Sequence, residues 1–283
     1  MTDSAPIDPI SHHAPTASQK EVVRLLLIPL LVYCAWLAEI YLLEGGGSLL
    51  ANPDILPLHL YTVIGCILTG MVVVVWIVIR SFRTLDVTLL QIGFRSVKRT
   101  IVTCTLALAA ACFVIMVSGM DSTHPASFPA LFCLYLPTGI AAVMVCWVLV
   151  GTHLQALIRA GGPALSIPVG VVITAILFGL TTLVLTPVPG RADPLVGAIL
   201  LGLLTALFFF SVRDVYATSI VLTTGMAFVF SGPVDPAALD RAFSGVVITA
   251  ALSLLALLAI HGWLLRSYTT VIIVPDQKDR PVP

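Results

Sequence analysis

Eight stretches of apolar residues alternate with short polar breaks along the chain, covering residues 25–43, 58–79, 100–120, 128 to past 150, 164–186, 195–212, 215–230 and 244–265. A helix needs about 20 apolar residues to cross a hydrocarbon core of about 30 Å, and most of these runs reach that length. The first begins after Arg24, carries Tyr33, Trp36 and Tyr41, and is expected to bend near its start at Pro29. Pro137 predicts an end or a kink within the fourth. Only Arg213 and Asp214 separate the sixth run from the seventh. Joined, the two would make one helix of more than about 50 Å, so two short spans are expected although no Gly or Pro marks the turn. The pattern predicts an all-α polytopic membrane protein of about eight transmembrane helices over residues 22–266. A disordered N-terminal tail (1–21) and a polar C-terminal tail (267–283) flank it. The N-terminal tail leads straight into a span, so no cleavable signal peptide is expected.

The break between the second and third runs, residues 80–99, is the most basic stretch and holds five of the fourteen Lys and Arg. On a helical wheel Thr84, Thr88, Gln91, Arg95, Lys98 and Arg99 share one narrow sector, and Phe82, Leu85, Leu89, Leu90, Ile92, Phe94 and Val97 cover the rest. This pattern predicts a helix lying in the membrane interface. Basic residues beside spans stay in the cytosol, which places this segment and both termini on the cytoplasmic side. With eight spans, Arg191 and Arg241 alone among the basic residues fall on the opposite side.

Composition agrees with the pattern. Hydrophobic residues make up 59% and charged residues 10% of the 283, against soluble averages of about 45–50% and about 25%. The mean hydropathy is +1.08. Formal net charge is zero, and no basic patch is large enough to neutralise a nucleic acid backbone. The six cysteines lie inside apolar runs without a CxxC pair and read as small apolar residues, so no disulfide framework, metal site or cofactor is expected. Two ionisable groups fall within spans, Glu39 and His261, each near an end where it is expected to snorkel to the interface. Thr218, Ser219, Thr223 and Thr224, with Thr181, Thr182 and Thr186, are expected to bond preceding carbonyls or to join helices. Gly197 and Gly202, with Ala198 and Ala206, are expected to let the sixth span pack closely.

The region from His153 to Phe230 carries a further pattern: LQALIR at 154–159, FGLTT at 178–182 and DVYATSIVLTTGMAF at 214–228. It resembles the CPBP family of intramembrane proteases, related to the CAAX prenyl endopeptidase and to bacteriocin-processing proteins. That family has a four-span core with an EExxxR motif, an FxxxH motif and a later His followed by Asn. By this resemblance the core covers about 128–231, Arg159 and Phe178 are kept, and TLLQIGFRSVKR is similar to a segment that precedes the core. The resemblance implies a glutamate activating water and histidines supporting an oxyanion. Here Leu154 and Gln155 stand where the glutamates belong, and Thr182 and Thr223 stand where histidines belong. None of these can act as a general base near neutral pH. The span registers also put Gln155 toward the inner face and Thr182 toward the outer, so the fourth helix would have to sit deeper for the motifs to meet.

The resemblance therefore implies a multi-pass protein of the cell membrane with lost proteolytic chemistry, no catalytic residues, and a binding or scaffolding role. Gln155, Arg159, Phe178, Thr182, Asp214 and Thr223 are the expected cavity positions. Partners are the lipid bilayer and a membrane-embedded or lipidated peptide. The alternatives are an active endopeptidase using other residues and a small-solute transporter relying on Glu39 or His261.

Overall fold

The computed structural model describes residues 19–46, 48–85, 88–118, 128–158, 162–185, 192–232 and 234–269. Residues 1–18 of the tail expected at 1–21, residues 270–283 of the tail expected at 267–283, Arg159 and Thr186 lie outside these residues, whereas 19–21 and 267–269 are helical. The described residues form helices and their connections, with no strand among them. In chain order they are α1 (Gln19–Glu44), α2 (Ser48–Ala51), α3 (55–85), α4 (Val97–Ser118), α5 (128–158), α6 (Pro163–Leu185), α7 (Ala192–Val212), α8 (Val215–Val229) and α9 (Pro236–Thr269).

The chain is an all-α polytopic membrane protein. Seven of these helices are long and apolar enough to cross a membrane, and α8 is shorter. Its fifteen residues rise about 22 Å, less than the full hydrocarbon thickness. The long helices run alternately up and down. The α3–α4 connector, the end of α5, the α7–α8 break and the end of α9 therefore meet on one face, called here the first face.

A single element organises the bundle. Every residue of α5 from 134 to 154 is buried, and 94% of its membrane window is enclosed, against 11% for α4. Helices α1, α3, α6, α8 and α9 all pack on α5. Apolar side chains on the outer helices point away from it, among them Leu31, Trp76, Leu106, Phe113, Val172, Leu200 and Leu255. Lipid is as apolar as these side chains, so helix association here rests on close packing and interhelical hydrogen bonds. At Gly70 of α3 a Cβ would sit 2.6 Å from the Cβ of Ala141, so only glycine lets α3 approach α5 there. Gly202 of α7 lies similarly against α6, beside the Ala175 carbonyl and Phe178, as its small size predicts. Tyr33 of α1 donates to the Leu177 carbonyl of α6 at 2.7 Å, and Trp36 Nε1 donates to the Gly65 carbonyl of α3 at 3.0 Å.

Two expectations change. Helix α5 runs through Pro137 without ending there, and α1 likewise continues through Pro29. The winding of α5 widens to a π-helix later, over Val143–Gly151, facing a second π-wound stretch in α3, Tyr61–Val73. Segment 80–99 is not one interfacial helix. Helix α3 continues to Leu85, residues 88–96 turn, and α4 begins at Val97. The reason is burial: Ile92 and Phe94, assigned by the wheel to a lipid-facing surface, are 2% and 1% exposed inside the bundle. Gly93 at φ 89 allows the turn that inserts them.

Candidate functional site

The first face is built around the break between α7 and α8. Helix α7 ends at Val212, and the next residue, Arg213, adopts φ 53. Non-glycine residues enter this left-handed region at a cost, which here replaces the missing Gly or Pro. Asp214 then starts α8 as its N-cap: its Oδ1 accepts from the Ala217 N–H at 3.0 Å, satisfying one of the free donors of the first turn. Its backbone carbonyl accepts from the Thr218 hydroxyl at 2.6 Å. Its other carboxylate oxygen, Oδ2, accepts from Thr103 of α4 at 2.9 Å. The residue is wholly buried.

Arg213 spans the face in the other direction. Its Nη1 donates to the Gln91 carbonyl at 2.8 Å, and its Nη2 donates to Oε1 of Gln155 on α5. The guanidinium lies over the Phe210 ring, 4.9 Å from its centroid. Arg95 Nε donates to the Arg213 carbonyl at 2.8 Å, and the Val215 N–H donates to the Gly93 carbonyl at 3.1 Å. The connector is thereby sewn to the α7–α8 break.

Helix α9 joins through His261. Its Nε2 lies 2.9 Å from the Arg95 carbonyl, which can only accept, so Nε2 carries the proton. Its Nδ1 is hydrogen-bonded with the Tyr216 hydroxyl of α8, 3.1 Å away, and that hydroxyl also reaches the Leu257 carbonyl at 3.3 Å. Phe94 packs against the same imidazole at 5.3 Å between centroids. His261 is 5% exposed. The snorkelling expected of it is replaced by this buried pairing, because Tyr216 and the connector supply both partners within the bundle.

Burial, and after it the neighbouring charge of Arg95, pulls the Arg213 guanidinium down to about 10. Arg95 is lowered by its own desolvation and then by Arg99, while Asp214 opposes the change. Both stay protonated at neutral pH. The cluster thus holds two cations and one carboxylate, all engaged with carbonyls, hydroxyls or amides. Chemically it is a clamp: its imidazole and carboxylate are committed to groups of the protein itself.

Of the residues singled out from the sequence, Gln155 and Asp214 are brought together here through Arg213. The others lie elsewhere. Phe178 stacks on Trp147 of α5 at 5.5 Å. Thr182 donates to the Gly179 carbonyl at 2.6 Å. Gln155 packs beside Gly170 of α6, and from there to Thr182 is twelve residues, about 18 Å along the helix axis. Thr223 lies against Gly139 of α5 with its hydroxyl buried and without a hydrogen-bond partner. The fourth helix does not sit deep enough to gather these positions in one cavity. Thr181, Thr218 and Ser219 bond preceding carbonyls as expected, but Thr223 and Thr224 do not.

Sequence reasoning missed Arg213 as more than a topological charge, placed Gln91 only on a polar helix sector, and missed Thr103 and Tyr216 altogether. The available signal was a charge pair set inside an otherwise unbroken apolar stretch. No family model, curated protein or solved structure matches the chain.

Proposed function

We propose that the protein is a binding or scaffolding component of the cell membrane, with a CPBP-like core that no longer hydrolyses peptides and with its first face in the cytosol. The observation that carries this reading is the hydrogen bond between Gln155 and Arg213. The position that the resemblance makes the water-activating carboxylate holds an amide instead, spent as an acceptor for a guanidinium. An amide cannot take a proton from water near neutral pH. The basic residues Arg95, Lys98 and Arg99 at the first face support the cytosolic assignment. The partner class is a membrane-embedded or lipidated peptide, which would reach the protein through the bilayer along its largely uncovered α4 flank.

The test is to incubate the purified protein in liposomes with prenylated and transmembrane peptides, following binding by fluorescence and integrity by mass spectrometry. Bound, intact peptide is expected. Cleavage that disappears on Gln155→Ala would overturn the reading.

A further inference from the structure

Helix α1 ends in a Schellman-type turn: the Gly46 N–H reaches back to the Tyr41 carbonyl at 3.4 Å, and Gly45 and Gly46 adopt φ 62 and φ 70. Glu44 is thus the last helical residue, and the reversal carries α2 back so that Leu49 and Leu50 are buried. The Ser48 hydroxyl donates to the Glu44 backbone carbonyl at 3.3 Å. In the sequence Glu44 directly follows the first apolar run, 25–43, and precedes three glycines, Gly45, Gly46 and Gly47. In the fold it is 1% exposed, and neither carboxylate oxygen has a hydrogen-bond partner.

The titratable groups that face it are Tyr61 of α3 and Tyr135 of α5. Cys66 of α3 lies within reach of both Glu44 and Glu39. None is a cation. Both phenols are already committed, Tyr61 to the Thr138 hydroxyl at 2.8 Å and Tyr135 to the Phe230 carbonyl at 2.8 Å. Among the described residues an anion at this point has no donor and no counter-charge, and the negative end of the α1 dipole lies at its own residue. A metal cation would need several converging oxygens, and no group of three or more His, Cys, Asp or Glu stands together among the described residues. A single proton removes the charge with nothing further required.

We propose that Glu44 is a proton-binding site, carried as the neutral acid inside the closed bundle. Ionising it requires that it reach water past Ser48–Ala51, so loss of the proton and release of α2 are one event. The end of the bundle opposite the first face is therefore responsive to pH.

Infrared spectroscopy of the full-length protein in liposomes tests this. A carboxylic acid C=O band is expected at neutral pH, lost in Glu44→Gln and retained in Glu39→Gln. It should disappear at alkaline pH together with a gain in hydrogen exchange over residues 48–51. Dicyclohexylcarbodiimide, which reacts with protonated carboxyls in apolar surroundings, gives a reading on the unsubstituted protein: Glu44 should be labelled at neutral pH and protected as pH rises. An acid band unchanged by Glu44→Gln, absence of labelling at Glu44, or a band abolished by Na⁺ or K⁺ at constant pH would each overturn the proposal.

Discussion

Asp214 accepts hydrogen bonds at both carboxylate oxygens, one capping α8 and one holding α4, so its replacements should be graded by chemistry. Asp214→Ala removes a cap of about 1 kcal/mol and an interhelical bond of about 1 kcal/mol. Asp214→Asn keeps an oxygen for the cap and should lose less than half as much. Thermal unfolding in detergent reads the difference, and equal losses would show that the cap is not what matters. Arg213 adds a pH dependence of definite sign. Through neutral pH its guanidinium is charged in the folded and the unfolded chain alike and contributes no slope. Above about 10 the folded chain gives up that proton first. The unfolded chain then binds more protons, so Arg213 makes stability rise with pH, a slope that Arg213→Gln should abolish.

At the scale of elements, the α7–α8 break separates a backbone effect from a side-chain effect. Arg213→Ala and Arg213→Gly both lose the bonds to Gln91 and Gln155, but only glycine adopts φ 53 without strain. The alanine variant should therefore be the less stable by about 1 kcal/mol. If the two are equally stable, the turn carries no backbone strain. Two neighbouring apolar runs end as two helices because of this one residue, and nothing in their hydrophobicity says so. The position of Pro137 is the converse case. A proline inside an apolar run reads as a break, yet α5 passes through it. Helices packed on every side of α5 hold it in place more strongly than one lost backbone bond disturbs it.

The whole molecule has a polar, basic first face and an opposite face with the buried Glu44. The proposed orientation rests on the basic residues, and Lys98, exposed at the start of α4, is where to read it. In a variant freed of its six native cysteines, Lys98→Cys should react with an impermeant maleimide only after cells are opened. Reaction from outside intact cells would invert the protein and remove the cytosolic assignment of the first face.

Run length and composition were enough to read helices and a membrane, because each depends on transfer of residues one at a time between water and hydrocarbon; of the eight crossings expected, seven helices among the described residues are long and apolar enough to span. Close packing at Gly202 was also readable, since small residues at helical spacing admit few other uses. The candidate site was not. Gln155 and Arg213 are 58 residues apart, and His261 meets Arg95 across 166. Such pairings exist only once the helices are arranged around α5. The burial of Glu44 and of Phe94 was likewise decided by tertiary structure: one ends a helix and the other lies in a connector, and each is packed inside only where the chain turns back. A sequence records how apolar each residue is, whereas partners for the polar ones are assigned by where the helices stand.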